Sequence, residues 1–256
     1  MDPAPREHPL NAEPAIQLRL LDVQEHDTHL LQLAHRAKTL PDIARLAEVD
    51  TRLTRVRDEV VAAETILSDL ESDQERADKD VQQVRERMTR DRQLLDSGSI
   101  GDPKQLQSIQ AELDNLARRQ SDLEDVELEI MERVEGARAA VAQLTEERDA
   151  LANERETLAT SVHEQLEAIH SEQRMIDEQR AAIATEIPAD LLALYDKIRA
   201  DHGGVGAAPL HRGACQGCRL TLPPTEIEEL RAAPPDAVIR CEECRRILVR
   251  TAESGL

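Results

Sequence analysis

The sequence has no phenylalanine, no tryptophan and a single tyrosine, Tyr195, in 256 residues. Aromatic side chains supply much of the buried area of a compact core, so their near absence excludes a thick globular core. No run of about 20 apolar residues occurs, which excludes a membrane-spanning helix. The N-terminal stretch MDPAPREHPLNAEP lacks the apolar centre of a secretory signal. Its Pro3, Pro5 and Pro9 predict a disordered leader over residues 1–13. A cytoplasmic location is expected, where thiols stay reduced. The chain also lacks a nucleophile-elbow motif and a phosphate-binding glycine loop. No enzymatic activity and no small-molecule substrate are expected.

Charge of one sign is short as well. The net charge is −20, and all of it falls in residues 1–201, where 25 basic residues face 45 acidic ones. Residues 202–256 hold seven arginines and seven carboxylates and sum to zero. The body would repel a phosphate backbone, so any nucleic-acid contact belongs to the C-terminal part. An acidic helical surface also keeps a long chain soluble.

Helix breakers are missing from the middle. Between Asp42 and Ile187 the only ones are Gly98, Gly101, Pro103 and Gly136, and three of these cluster in DSGSIGDP, residues 96–103. That cluster predicts a turn between two long helices. Before it, Leu46, Leu53, Val60, Leu67, Gln74, Val81, Met88 and Leu95 form one seam row, and Val49, Val56, Ala63, Leu70, Ala77, Val84 and Asp91 form the other. The unbroken three–four spacing is the mark of a coiled coil. After the turn the rows are Leu106, Leu113, Gln120, Glu127, Val134, Val141, Arg148, Arg155, Val162, Ile169, Ile176 and Ile183, with Ile109, Leu116, Leu123, Ile130, Ala137, Leu144, Leu151, Leu158, Gln165, Glu172, Gln179 and Glu186. The last four of the second row are the weakest part of the pattern.

A short turn makes the arms antiparallel, so Leu95 should face Leu106, Met88 face Leu113 and Leu67 face Val134. Gln74 should face Glu127, a polar layer that disfavours slipped registers. An earlier helix starts at Pro14, and Leu40-Pro41 should kink the arm because proline lacks the helical N–H. The fold expected is mostly α: a long kinked antiparallel coiled-coil hairpin over 14–186, a neck helix over 187–202, and a small β zinc ribbon over 203–256.

All four cysteines lie in that last module, as Cys215-x2-Cys218 and Cys241-x2-Cys244. Two such turns close a tetrahedron of sulfurs about 2.3 Å from one ion, and zinc is its natural occupant. Iron in a rubredoxin-like site and a redox dithiol pair are the alternatives. Four sulfurs leave no open position, so the single Zn2+ is structural. Thr225-x-x-Glu228 reads as a capping box, and 237–240 and 247–250 read as strands. His202 and His211 are surface residues, because the ligand set is already complete.

The turn GDPKQLQSIQAEL, the neck IPADLLALYDKIRADHGG, and the ribbon CQGCRLTLPPTEIEEL with CEECRRILVR resemble the bacterial family of coiled-coil hairpin proteins that end in a four-cysteine zinc ribbon. That family includes a flagellar regulator and a chlamydial regulatory protein. The resemblance covers nearly the whole chain after the first dozen residues. It departs at Arg245, where the family usually has glycine after the fourth cysteine. The resemblance implies a regulatory adaptor with a protein partner, such as an alternative sigma factor or a secretion component, and in one case messenger RNA. Two other readings stand beside it. Arg240, Arg245, Arg246 and Arg250 are candidate nucleic-acid or partner contacts on the ribbon. The hairpin tip, with Asp96, Asp102, Pro103 and Lys104, has the shape of a polymerase secondary-channel factor.

Overall fold

The structure, a computed structural model, describes residues 10–256. Its elements are α1 (Pro14–Lys38), α2 (Pro41–Asp96), α3 (Pro103–Ala184), α4 (Ala189–Asp201), β1 (Ala207–His211), β2 (Ala214–Cys215), α5 (Pro224–Ala232), β3 (Ile239–Arg240) and β4 (Ile247–Val249). The chain divides into two units, Ala44–Thr160 and Met1–Ile43 with Ser161–Leu256. None of the helices is long and apolar enough to cross a membrane, among the described residues.

Ala44–Thr160 is the antiparallel hairpin proper. Val49, Leu53, Val56, Val60, Leu70, Ala77, Val81 and Met88 of α2 are buried, and every one is a predicted seam position. Val49, Leu53, Val56 and Val60 pack with Leu151 and Leu158 of α3 in one cluster. Each such side chain contributes about 1.5 kcal/mol, the low end for aliphatic burial, because a two-helix seam covers only one side. Outside the seam, Arg45 pairs with Glu154, Arg52 with Glu147 and Arg87 with Glu112. Residue numbers fall on one arm as they rise on the other, as antiparallel arms require. These exposed pairs add little stability but disfavour a shifted register. The expected polar layer is half-buried at Gln74 and Glu127, and Glu127 there meets the carboxylate of Asp78.

The tip closes as its residues dictate. Gly98 takes a left-handed φ of 64° after α2 ends. Asp102 then caps α3: its Oδ1 accepts from the Lys104 N–H at 3.0 Å, and its carbonyl accepts from Leu106 N–H. Pro103 occupies the first helical position, where its missing N–H costs nothing.

The second unit holds α1, the last part of α3, α4 and the ribbon. The break expected at Leu40-Pro41 is present, with α1 ending at Lys38 and α2 starting at Pro41. Asp42 there accepts from Ser161 Oγ and Gln165 Nε2, at 3.0 and 2.9 Å. Leu33 and Leu40 pack with Ile169 and Ile176. In this stretch Gln165 and Glu172 of the weak second row are half-buried, as are their neighbours Leu166 and Gln173, but the row moves on by one residue at its end: Gln179 and Glu186 are exposed, while Arg180 is half-buried and Ile187 is buried. The shift brings Ile187 inward and carries Arg180 to a buried partner on α1.

The sheet order is β2-β1-β4-β3, with β1 parallel to β4 and the other pairs antiparallel. Side chains alternate across a sheet, and here both faces are covered. Ala207, Ile247 and Val249 face a core made with Leu20, Val23, Leu191, Tyr195 and Ile198. Ala208, Leu210 and Leu248 face a second core with Leu222, Leu230 and the cysteines. Burial on both sides explains the runs AAPL and ILV, which do not alternate in polarity.

Three expectations need correction. Leu10–Glu13 do not belong to a leader: Asn11 bridges Ala237, Ala12 N–H donates to Asp236 O at 2.7 Å, and Ala12 is buried. The rest of the expected leader, 1–9, lies outside the described residues. Thr225 makes no capping bond, because α5 starts two residues earlier than a Thr225 cap requires, with Pro224 preset at its first position. The strands predicted at 237–240 and 247–250 are shorter, 239–240 and 247–249; they pair with each other, and the second also pairs with β1, which the sequence marked only as a linker or edge entry.

Candidate metal centre

Each cysteine pair sits on a knuckle of the same build. In the first, Arg219 N–H donates to Cys215 O at 2.7 Å and Cys215 N–H to Leu220 O at 3.0 Å. In the second, Arg245 N–H donates to Cys241 O at 2.8 Å and Cys241 N–H to Arg246 O at 2.9 Å. Both turns need a left-handed residue just after the second cysteine. Arg219 and Arg245 adopt it, with φ of 65° and 60°, at a cost of about 1–2 kcal/mol that glycine would avoid. Arg245, where the resemblance implies glycine, therefore keeps the knuckle geometry and has a counterpart in Arg219.

The four sulfurs lie within 4.8 Å of one another. Cys215 Sγ is 3.8 Å from Cys244 Sγ, and Cys218 Sγ is 4.0 Å from Cys241 Sγ. A tetrahedron with bonds of about 2.3 Å has edges of about 3.8 Å, whereas a disulfide needs about 2.05 Å. The donor set fits one structural zinc ion, with Cys215, Cys218, Cys241 and Cys244 as its ligands. Burial pushes the Cys215 thiol up and the Cys241 thiol up to about 12. At Cys244 burial also acts upward, but hydrogen bonds from the Arg246 backbone and guanidinium bring the thiol below its ordinary value. Zinc must displace these protons, so binding is proton-linked. His202 and His211 stay outside the site; His211 Nδ1 lies 3.1 Å from Glu253.

The candidate contact arginines separate. Arg250 is drawn inward, donating to the carbonyls of Ala233, Pro234, Pro235 and Ala237 at 2.7–3.2 Å. Arg246 donates to Val205 O and His202 O, both at 3.0 Å. Arg240 Nε donates to Arg245 O at 3.0 Å. Arg245 is exposed. At the tip, Asp102 and Pro103 start α3, while Asp96 is exposed as the last residue of α2 and Lys104 is exposed in the first turn of α3.

A polar cluster between α1, α3 and α4 escaped the sequence pattern. Asp27, 1 % exposed, accepts from Arg180 Nε at 2.7 Å and Nη2 at 3.2 Å, from Tyr195 OH at 2.6 Å, and from Arg199. Arg180 also reaches Asp196 at 3.0 Å. Burial raises the Tyr195 phenol well above its ordinary value, reinforced by Asp27. One turn away, Gln24 Oε1 accepts from Gly206 N–H at 2.7 Å and its Nε2 donates to Gly204 O at 3.0 Å. A Cβ on Gly206 would stand 2.6 Å from the Tyr195 carbonyl oxygen, so only glycine fits. Gln17 Nε2 donates to Ala12 O at 2.8 Å and Pro235 O at 3.3 Å. The ribbon is thus fastened to α1 by buried amide groups. The available signal was a gap: Asp27 falls where the α1 stripe Leu20, Val23, Leu30 should carry an apolar residue.

Comparison with known proteins agrees with this architecture. A family model described as the CT398-like coiled coil hairpin domain matches residues 23–203, and one for a C4-type zinc ribbon domain matches 214–248. The Mycobacterium tuberculosis protein Rv2229c is 36% identical over 244 residues, covering 94% of this chain and 98% of its own. A solved structure from Mycobacterium smegmatis superposes with a TM-score of 0.81 at 34% identity, covering 94% of this chain and all of its own. CT398 from Chlamydia trachomatis gives 0.65 at 19% identity over 93% of this chain and 98% of its own, a likeness of fold alone.

Proposed function

Because the chain belongs to the CT398-like coiled-coil hairpin family and ends in its four-cysteine ribbon, we propose that it is a non-catalytic adaptor that binds a protein partner in the cytoplasm. The observation that carries this reading is apolar surface off the seam. Val61 is 62% exposed, and Ile66, Val126, Leu128 and Met131 also face solvent on the same hairpin unit. None serves the coiled coil, and Leu128 and Met131 share a helix face by their spacing. The partner suggested by the resemblance is a component of transcription, such as an alternative sigma factor, or of secretion.

Nucleic-acid binding by the ribbon is the weaker reading. Arg246 and Arg250 are occupied by main-chain carbonyls, and no aromatic platform is available for stacking bases. The polymerase-channel reading loses Asp102 to helix capping. The test is crosslinking mass spectrometry in cells with a tagged chain, repeated with Leu128→Asp/Met131→Asp. A specific protein crosslinked near residues 61–131 and lost in the variant supports the proposal. Capture of RNA instead, or partner recovery unchanged by the variant, refutes it.

A further inference from the structure

Among the described residues, the Arg246 side chain touches the metal centre, the opposite knuckle and the neck together. Arg246 follows Cys244 by two residues, its carbonyl accepts from Cys241 N–H at 2.9 Å, and its side chain helps to lower the Cys244 thiol. The guanidinium donates to Gly217 O, inside the first knuckle, at 3.3 Å. It also donates to His202 O and Val205 O, which follow α4, at 3.0 Å each. The surroundings are shaped to this path. A Cβ on Gly217 would stand 2.8 Å from Arg246 Cδ and 3.0 Å from Ala208 Cβ. The cation also sits at a helix C-terminus, where the carbonyl dipoles favour positive charge.

We infer that Arg246 is a positioning residue of the zinc centre that links metal occupancy to docking of the neck helix α4. A zinc ion with four thiolates carries a net double negative charge, and the guanidinium beside Cys244 offsets part of it. Such partners outside the ligand set typically hold 10–100-fold in metal affinity. Loss of the ion frees the Cys241–Cys244 turn, and Arg246 moves with it. The carbonyls of His202 and Val205 then lose their donor, and the cap formed by His202 N–H on Ile198 O and Gly204 N–H on Arg199 O loosens. Linkage makes the effect reciprocal: a docked neck tightens zinc binding. The inference rests on the zinc centre and is independent of any partner.

The experiment uses the full chain with Arg246→Met and Arg246→Lys, read by Zn2+ competition against a chromophoric chelator and by hydrogen exchange at His202 and Gly204. A Co2+ spectrum reports whether ligation by four sulfurs survives. In the unsubstituted chain, stripping zinc should speed neck exchange. In Arg246→Met the Co2+ spectrum should persist, zinc should bind about 10–100-fold more weakly, and neck exchange should be fast with or without metal. Neck exchange that ignores zinc in the unsubstituted chain, or still follows zinc in Arg246→Met, overturns the inference. So does zinc affinity within twofold of the unsubstituted chain. If Arg246→Met fails to fold, Arg246→Lys, which lacks the planar fork that serves the two neck carbonyls, is judged by the same measurements.

Discussion

Replacing Asp27 by Asn removes one buried charge. In the folded chain Asp27 is 1 % exposed and accepts hydrogen bonds from Arg180, Arg199 and Tyr195. Asn offers a single acceptor oxygen and turns an NH2 group toward a guanidinium. At least one charge-assisted bond is lost, worth about 1.5–3 kcal/mol, and Arg180 keeps its ion pair with Asp196. Breaking a buried ion pair from one side costs about 3–5 kcal/mol. Arg180 is 19% and Arg199 36% exposed, so water recovers part of that loss. The expected destabilisation is about 3 kcal/mol. Tyr195 is the only aromatic residue and lies inside this cluster, so its fluorescence reports this region alone. With a urea dependence of about 2 kcal/mol per molar, the Tyr195 transition should move down by about 1.5 M. A shift below about 0.5 M would refute the view that the Asp27 cluster holds the neck together.

Three further outcomes follow from the same geometry. Leu53→Ala, at a fully covered seam position, should destabilise the hairpin by about 2–3 kcal/mol, whereas Val61→Ala should change thermal unfolding by less than about 0.5 kcal/mol; equal effects would mean the seam is misassigned. Glu127 is raised above the ordinary carboxyl value by burial and by Asp78, so its favourable contribution is present below the unfolded value and fades as pH rises through the folded one. Glu127→Gln should therefore stabilise the hairpin at pH 7 and flatten the pH dependence of its melting above the ordinary carboxyl range; a melting curve that keeps its pH slope would count against this. Acidification or a chelator should release zinc with uptake of protons by the cysteines, seen as faster exchange at β1 and β4, while a ribbon that keeps its protection without metal would show that the ion is not structural.

How much was legible in the sequence depends on the range of the forces involved. The three–four spacing placed every buried residue of α2, because a helix repeats its contacts along one face. The turn at 96–103 and the metal ligands were equally plain, since glycine, proline and cysteine act through local geometry. The pattern weakened near Gln165–Glu186, where α3 meets both α1 and α4 and burial no longer follows one seam.

The sequence by itself determined a helical hairpin and a four-sulfur zinc site, because periodic burial and the span between paired cysteines are set within a few residues. Only the tertiary structure decided that Asp27, Gln24, Gln17 and Arg246 are interior and that Arg250 faces its own backbone. Those polar groups lie more than a hundred residues from most of the atoms that satisfy them, or close a loop that no short window spans. A buried polar side chain is stable only once every partner has arrived, and that condition is met by the fold as a whole.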